Sequence, residues 1–378
     1  MRKNLIIKIC AGILLTLIAA AIAFVVFFYG NLQRITVHSS ALTPPVSSPT
    51  PKPHIDAFNQ LEPYSVLLLG YGGGVHEGGK LSDSMMVVSI VPQKQKIFLI
   101  SIPRDLWIAL PINSPAGDQS SYWKINAAYP IGSDDRTYPH KPVAYTGAAG
   151  GGELAKYAVQ TVTGIPIDRF VAMDFSGFIK SINVLGGIDV KVQNTLDDDL
   201  YPIEEQKDND CGRSADDVKA ISATMSATQI ENAHMFPCRY EHLHFDVGVI
   251  HMDGETALKY ARSRHSTNDG GDFNRAARQR NVLLAVKKRV ISLAFFTKAI
   301  PFISSLSYDL QTDLTPENMQ EFLQYKDALS SYQIVGIALT DKNVLAQTRA
   351  NGQDILAPKA GVDQWNTVSD WLKQQMEN

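Results

Sequence analysis

Cysteine is scarce. The 378-residue chain has three, too few for the disulfide-dense framework of a small secreted protein, and none at zinc-type spacing. Charge of one sign is lacking as well, with 35 Lys+Arg against 38 Asp+Glu and a formal net charge of −3. That balance excludes a chain basic throughout and built to coat nucleic acid, and no nucleic-acid partner is expected. Internal repeats of roughly 20–50 residues are missing, so the chain is not a solenoid or propeller. What is present excludes global disorder: 45% hydrophobic and 9% aromatic residues supply a packed core. The length suggests one large domain or two.

Neither hydrophobicity nor charge is evenly spread. Residues 9–29 form a run of 21 positions without a charge. As a helix that run spans about 31 Å, the thickness of a bilayer core. Arg2, Lys3 and Lys8 precede it, which places residues 1–8 in the cytoplasm and the bulk of the chain outside. A cleavable signal peptide is the alternative, because Ala21-Ile22-Ala23 has the small-x-small pattern. The apolar run continues six residues beyond Ala23, which favours a transmembrane anchor. Residues 30–54 follow as a linker, where five of the ten positions from Pro44 to Pro53 are proline. Such a stretch is extended and has no core of its own. Residues 55–378 are therefore expected as an extracellular domain tethered to the cell membrane.

Cys10 lies inside the expected span, which leaves Cys211 and Cys238. A bridge between them would close a 28-residue loop and stabilise the fold by about 3.5 kcal/mol in the chain-entropy model. Two free thiols are the alternative. These cysteines lie in residues 194–246, a stretch that breaks the rhythm of the rest. It carries nine carboxylates between Asp197 and Asp217, beginning Asp197-Asp198-Asp199. Their spacing fits no EF-hand, so a solvated, disulfide-pinned acidic insertion is the preferred reading over a metal-binding loop.

Elsewhere short apolar runs alternate with helical patterns. Ser65–Leu69, Met85–Val91, Lys96–Ile102, Phe170–Asp174 and Ile188–Val192 read as strands. Glu153–Val162 and Ser176–Leu185 read as helices, the first stopped by Gly164-Ile165-Pro166 and the second by Gly186-Gly187. A helix capped by Asp253 runs to about Arg264, and a longer one covers about Phe273 to Leu293. Tyr332–Leu339 reads as a further apolar run and Trp365–Met376 as a last helix. The alternation predicts an α/β architecture with helices on both faces of a sheet.

The basic residues concentrate where chemistry is expected. Between Leu258 and Arg289 there are nine Lys or Arg and two acids, Asp269 and Asp272, a local excess of seven positive charges. Arg275, Arg278 and Gln279 are spaced i, i+3, i+4, so a helix is expected to present all three on one face. Arg262 and Arg264 precede them across the loop 265–271. Arginine is suited to bidentate phosphate recognition and stays charged at any physiological pH. A solvated basic helix is the plain alternative. Two further segments, Ser82-Asp83-Ser84 and Arg104-Asp105, put carboxylates near strand ends, where Mg²⁺ could bridge a carboxylate and a pyrophosphate.

Together these segments resemble the LytR-CpsA-Psr family. The resemblance rests on eight segments in order: Leu67-Leu68-Leu69-Gly70, Leu81–Met86, Ser101–Leu106, Lys124–Tyr129, Val184–Ile188, His251–Leu258, Tyr260–Arg264 and Asp272–Gln279. It covers about residues 64–293 and implies a single α-β-α layered domain with a mixed central sheet, behind one transmembrane helix. It further implies a phosphotransferase that moves a glycopolymer from a polyprenyl-pyrophosphate carrier to a peptidoglycan hydroxyl, leaving a phosphodiester. On that basis Arg104, Arg262, Arg264, Arg275, Arg278 and Gln279 bind the pyrophosphate, and Asp83, Arg104 and Arg275 are catalytic. Asp83 also holds Mg²⁺ or takes the proton of the attacking hydroxyl. Phe170, Val171, Phe175 and Phe178 are candidates for contact with the polyprenyl chain, although a plain role in the core is the preferred reading for each. Hydrolysis of polyprenyl pyrophosphate and non-catalytic binding of an anionic glycopolymer or lipid are the competing readings. Transcriptional regulation is disfavoured by the lack of a helix-turn-helix pattern.

The chain departs from the family pattern in three places. Gly72 stands where many members carry a second carboxylate, so His76 or Glu77 must substitute or the metal binds weakly through Asp83 and phosphate. Leu81 replaces an arginine, with Lys80 as a partial substitute. The usual glutamine pair is Gln279-Arg280.

Overall fold

A computed structural model describes residues 36–37, 62–74, 79–113, 121–225, 230, 234–291, 309–315, 318, 322 and 325–377. The expected anchor at 9–29 and residues His76 and Glu77 lie outside this set. Among the described residues no helix is long and apolar enough to cross a membrane. The chain packs as two compact units, one formed by 1–184 with 293–378 and the other by Leu185–Ser292.

The first unit opens with β1 (Tyr64–Tyr71), β2 (Ser82–Val91) and β3 (Lys96–Ser101). Their near-continuous apolar runs suit strands covered on both faces. The polar exception is a matched pair: Ser65 lies opposite Ser89, and its hydroxyl donates to the Ser89 hydroxyl at 3.0 Å. Next come the antiparallel pair β4 (Trp107–Leu110) and β5 (Ser121–Lys124), then α1 (Ala128–Ser133) and α2 (Gly150–Thr163). Three consecutive glycines begin α2 because nothing larger fits there. A Cβ on Gly150 would lie 2.5 Å from the Gly132 carbonyl oxygen, and one on Gly152 would lie 2.1 Å from the Phe170 ring. Gly164, with φ 67°, ends α2 in the left-handed region, as the stop signal predicts. Strand β6 (Arg169–Asp174) leads into α3 (Phe175–Leu185).

The second unit begins where α3 ends. It contains β7 (Ile188–Val192), β8 (Leu196–Pro202), α4 (Ala215–Thr224), β9 (Tyr240–Phe245), β10 (Gly248–Met252), α5 (Gly254–Arg262) and α6 (Gly271–Ile291). Asp253 caps α5 by accepting the Thr256 amide at 2.8 Å, as expected. β7 pairs with β10 and β8 with β9, both antiparallel. The acidic stretch is thus part of a folded unit. Its disulfide forms between Cys211 and Cys238, whose Cα atoms are 5.6 Å apart.

The chain then completes the first unit with β11 (Leu310–Thr312), α7 (Lys326–Ser331), β12 (Gln333–Ala338), β13 (Leu345–Ala350), β14 (Gln353–Pro358) and α8 (Trp365–Glu377). The central sheet has the order β11-β6-β1-β2-β3-β12. β1 is parallel to β6 and β3 to β12, while the other neighbours are antiparallel, so the sheet is mixed. Its core joins Leu67, Val87, Phe98 and Ile100 of the sheet to Leu154, Val159 and Val162 of α2 and Val368 and Leu372 of α8. Phe170 is fully buried in that core, the role preferred for it over lipid contact. Val171, Phe175 and Phe178 are half-buried.

Candidate functional site

In the first unit, β1 and β6 run parallel and end at Tyr71 and Asp174, which lie side by side. β2 starts at the same edge, with Ser82 opposite Tyr71 and an irregularity in register there that sets Asp83 apart from the ladder. β3 ends at Ser101, three residues before Arg104. Carboxyl ends of strands are where open α/β sheets bind ligands. The expected residues Asp83 and Arg104 are brought together there: one Arg104 terminal nitrogen bonds Asp83 Oδ1. The Arg104 Nε lies 3.6 Å from Asp105 Oδ2, and Lys124 Nζ donates to Asp105 Oδ1 at 2.6 Å. The four side chains make a partly exposed, alternating chain of charge. Backbone bonds fix its base, with the Ile125 amide donating to the Leu106 carbonyl at 2.7 Å and the Asn126 amide to the Arg104 carbonyl at 3.3 Å.

Sequence reasoning missed Asp174 at this edge. Its Oδ1 accepts the Gly177 amide at 2.8 Å, and its Oδ2 would sit 3.3 Å from a Cβ on Gly73. Burial raises its carboxyl above the ordinary aspartate range, and Asp309 adds to the rise against the opposing Gly177 bond. The Tyr71 and Tyr129 rings stack beside it at 5.4 Å, both phenols raised by burial. Lys80, expected to replace an arginine in part, is exposed.

In the second unit, Arg262 ends α5 and Arg264 follows two residues later. Between them Ser263 turns inward and is buried. Asp198 explains this. Its Oδ2 accepts the Ser263 hydroxyl at 2.5 Å, the Arg264 amide at 3.2 Å and the His265 amide at 3.1 Å. The middle residue of the Asp197-Asp198-Asp199 run is therefore fully buried and positions the arginine-bearing segment, which corrects the reading of that run as solvated. Alternation along β8 carries the signal: Leu196 and Asp198 face inward, while Asp197 and Asp199 face outward. Arg262 lies over Tyr201, with its guanidinium carbon 5.9 Å from the ring centroid.

Arg275 and Gln279 are half-buried on α6, one turn apart. Arg278 differs. It is 1% exposed and lies on the inward stripe with Val282 and Ala285, at i, i+4 and i+7. Its Nε donates to the Tyr260 carbonyl at 3.0 Å, and one terminal nitrogen donates to the Asp269 carbonyl at 2.5 Å and to Asp269 Oδ2 at 2.8 Å. The other terminal nitrogen donates to the Ser263 carbonyl. Four of the five guanidinium N–H groups are thus committed within the unit. This corrects the expectation that Arg278 shares a ligand-facing surface with Arg275 and Gln279: it braces the loop 263–271 from beneath. Arg280, at the departed glutamine position, is half-buried, and burial lowers its guanidinium below the ordinary value.

The model of the LytR_cpsA_psr family matches residues 29–367. The chain belongs to that family. Biofilm regulatory protein A of Streptococcus mutans is 29% identical over 319 residues, covering 79% of this chain and 65% of that protein. A Bacillus subtilis protein named polyisoprenyl-teichoic acid–peptidoglycan teichoic acid transferase TagV is 29% identical over 285 residues, 75% of this chain and 58% of that one. The chain thus spans less than two thirds of the length of either relative. The crystal structure of B. subtilis TagV aligns with a TM-score of 0.52 at 25% identity, over 84% of this chain and 98% of that one. The mixed α/β fold is shared.

Proposed function

We propose that this protein is a phosphotransferase of cell-wall assembly, moving a glycopolymer from a polyprenyl-pyrophosphate carrier to a peptidoglycan hydroxyl. Family membership supports this, as does the name of the TagV relative. The observation that carries it is the contact of Asp83 with Arg104 at the carboxyl edge of the sheet. A protein that merely binds anions gains nothing from a carboxylate held beside its arginine. Arg104 binds phosphate and offsets charge that develops during transfer, and Asp83 takes the proton of the attacking hydroxyl. The family resemblance extends the pyrophosphate-binding role to Arg262, Arg264, Arg275 and Gln279, and Arg278 is a positioning residue. The run at 9–29 anchors the chain in the cell membrane, with the folded units outside.

The residues present fit a loosely held Mg²⁺. One Asp83 oxygen is engaged by Arg104, which leaves the other for a metal that commonly binds one or two carboxylates plus substrate phosphates. When bound, the ion would neutralise phosphate charge.

The test uses the full chain in detergent, given a radiolabelled lipid-linked glycan and peptidoglycan fragments. Transfer of label to the fragments with release of polyprenyl phosphate is expected. Asp83→Ala should abolish transfer while the lipid-linked glycan still binds. Binding without turnover by the unaltered protein under any metal condition would defeat the proposal.

A further inference from the structure

Two histidines on one face of β9 meet a carboxylate on β8. His242 and His244 are two residues apart, so their side chains leave the strand on the same side. Their rings are stacked almost parallel, with centroids 6.3 Å apart and planes inclined by 11°. Asp197 is the register partner of His244. Its Oδ1 lies 3.2 Å from His242 Nε2 and 3.6 Å from His244 Nδ1. The same oxygen is shielded from solvent and receives no aligned hydrogen bond among the described residues. One ligand atom from each of the three side chains lies within 4.8 Å of the others.

We propose that Asp197, His242 and His244 form a binding site for a first-row divalent cation of the Zn²⁺ type, separate from the residues proposed for phosphoryl transfer. Two distances are diagnostic. Tetrahedral Zn²⁺ holds nitrogen and oxygen ligands at about 2.0–2.1 Å, which sets neighbouring ligand atoms about 3.3 Å apart. The oxygen–nitrogen separations of 3.2 and 3.6 Å already bracket that edge. The donor set of two imidazoles and one carboxylate suits Zn²⁺ rather than Mg²⁺ or Ca²⁺, which prefer all-oxygen shells.

The outer partners favour a metal over simple ion pairing. His242 has its far nitrogen, Nδ1, 2.5 Å from Asp199 Oδ1, and His244 has its far nitrogen, Nε2, 3.3 Å from Asp246 Oδ1. Each ring therefore has one nitrogen oriented by a carboxylate and the other turned toward Asp197. A carboxylate on the far N–H is the arrangement that fixes the tautomer and orientation of metal-binding histidines. Three protein ligands leave a fourth position for water. The cation would tie β8 to β9 one residue from Asp198, the carboxylate that holds Ser263, Arg264 and His265.

The experiment is equilibrium dialysis of the full chain, stripped with chelator, against ZnCl₂, repeated with CoCl₂ to read coordination from the visible spectrum. One equivalent of Zn²⁺ bound at or below about 10 µM free metal is expected, with the more intense Co²⁺ bands of a four-coordinate site. His242→Ala and His244→Ala should each lose that equivalent, and Asp199→Asn should weaken it about 10- to 100-fold. His251→Ala removes another exposed histidine, one paired with Asp189, and should bind as the unaltered protein does. All four residues are exposed or partly so, and an intact Cys211–Cys238 bridge with unchanged far-UV circular dichroism verifies folding of each variant. Failure of the unaltered chain to bind Zn²⁺, or an undiminished equivalent in both His242→Ala and His244→Ala, would overturn the proposal and leave a set of surface ion pairs.

Discussion

Replacing Arg278 by alanine separates its role from that of its helical neighbour Arg275. The Arg278 guanidinium makes four hydrogen bonds, three of them to the carbonyls of Tyr260, Ser263 and Asp269. Truncation strands three buried acceptors and leaves the Asp269 carboxylate, 6% exposed, without its charge partner. Removing one member of a buried ion pair costs about 3–5 kcal/mol. At 1.4 kcal/mol per decade, that multiplies the opening equilibrium of the loop about 140- to 4,000-fold. Amide hydrogen exchange reads this directly, because the Gly271 amide bonds the Arg264 carbonyl and the Asp269 amide bonds the Ser266 hydroxyl. Protection at those amides should collapse in Arg278→Ala, and Arg278→Lys should recover little of it because an ammonium cannot reproduce the planar fork. Arg275→Ala should leave the protection intact. If Arg278→Ala kept full protection at Asp269 and Gly271 yet lost pyrophosphate binding, the bracing role would be refuted and direct ligand contact restored.

Arg275→Ala should weaken binding of a lipid-linked pyrophosphate by about 1.5–3 kcal/mol, the value of a charge-assisted hydrogen bond, as measured by titration of the full chain. Cys211→Ser should destabilise the second unit by about 3.5 kcal/mol on the chain-entropy account, seen as faster proteolysis between β8 and β9; equal resistance would remove the bridge from the energetics. Asp174→Asn should stabilise the first unit at neutral pH. The folded carboxyl lies above the ordinary 3.8, so the wild type's relative stability is fully present below that value and falls as pH rises through the raised one. The gain should therefore appear as pH rises above the ordinary aspartate value, followed by tryptophan fluorescence, since Trp107, Trp123, Trp365 and Trp371 all belong to this unit. A gain that is flat with pH would contradict the assigned cause.

Much of the architecture was legible because period and punctuation agree. The runs at 65–69, 85–91 and 96–102 and the left-handed glycine after α2 speak the same local language as the fold. Asp83 and Arg104 were singled out through motif order, but the contact between them, 21 residues apart, shows only in the fold. Arg278 was not, since i, i+3, i+4 spacing names a set of neighbours without saying which way the helix faces. Its burial follows from Val282 and Ala285, which mark the inward stripe, and from Asp269, the partner that makes an inward charge tolerable. Asp198 escaped for a related reason. A run of three aspartates looks solvated by composition, and only strand alternation turns the middle one inward. The His242–His244–Asp197 cluster was hidden by the more than 40 residues that separate its halves, which strand pairing brings opposite one another.

The central sheet is completed late. β3 finds its parallel neighbour only when Gln333–Ala338 is made, and β6 finds its outer neighbour only at Leu310–Thr312. Synthesis from the N-terminus therefore delivers all of Leu185–Ser292 while β3 and β6 still present unpaired edges. Exposed strand edges invite pairing with other chains. The nascent polypeptide is thus most prone to aggregation in the interval when its second unit can already close its disulfide, and a truncation before β12 should yield a sticky, holdase-dependent intermediate rather than a smaller working protein.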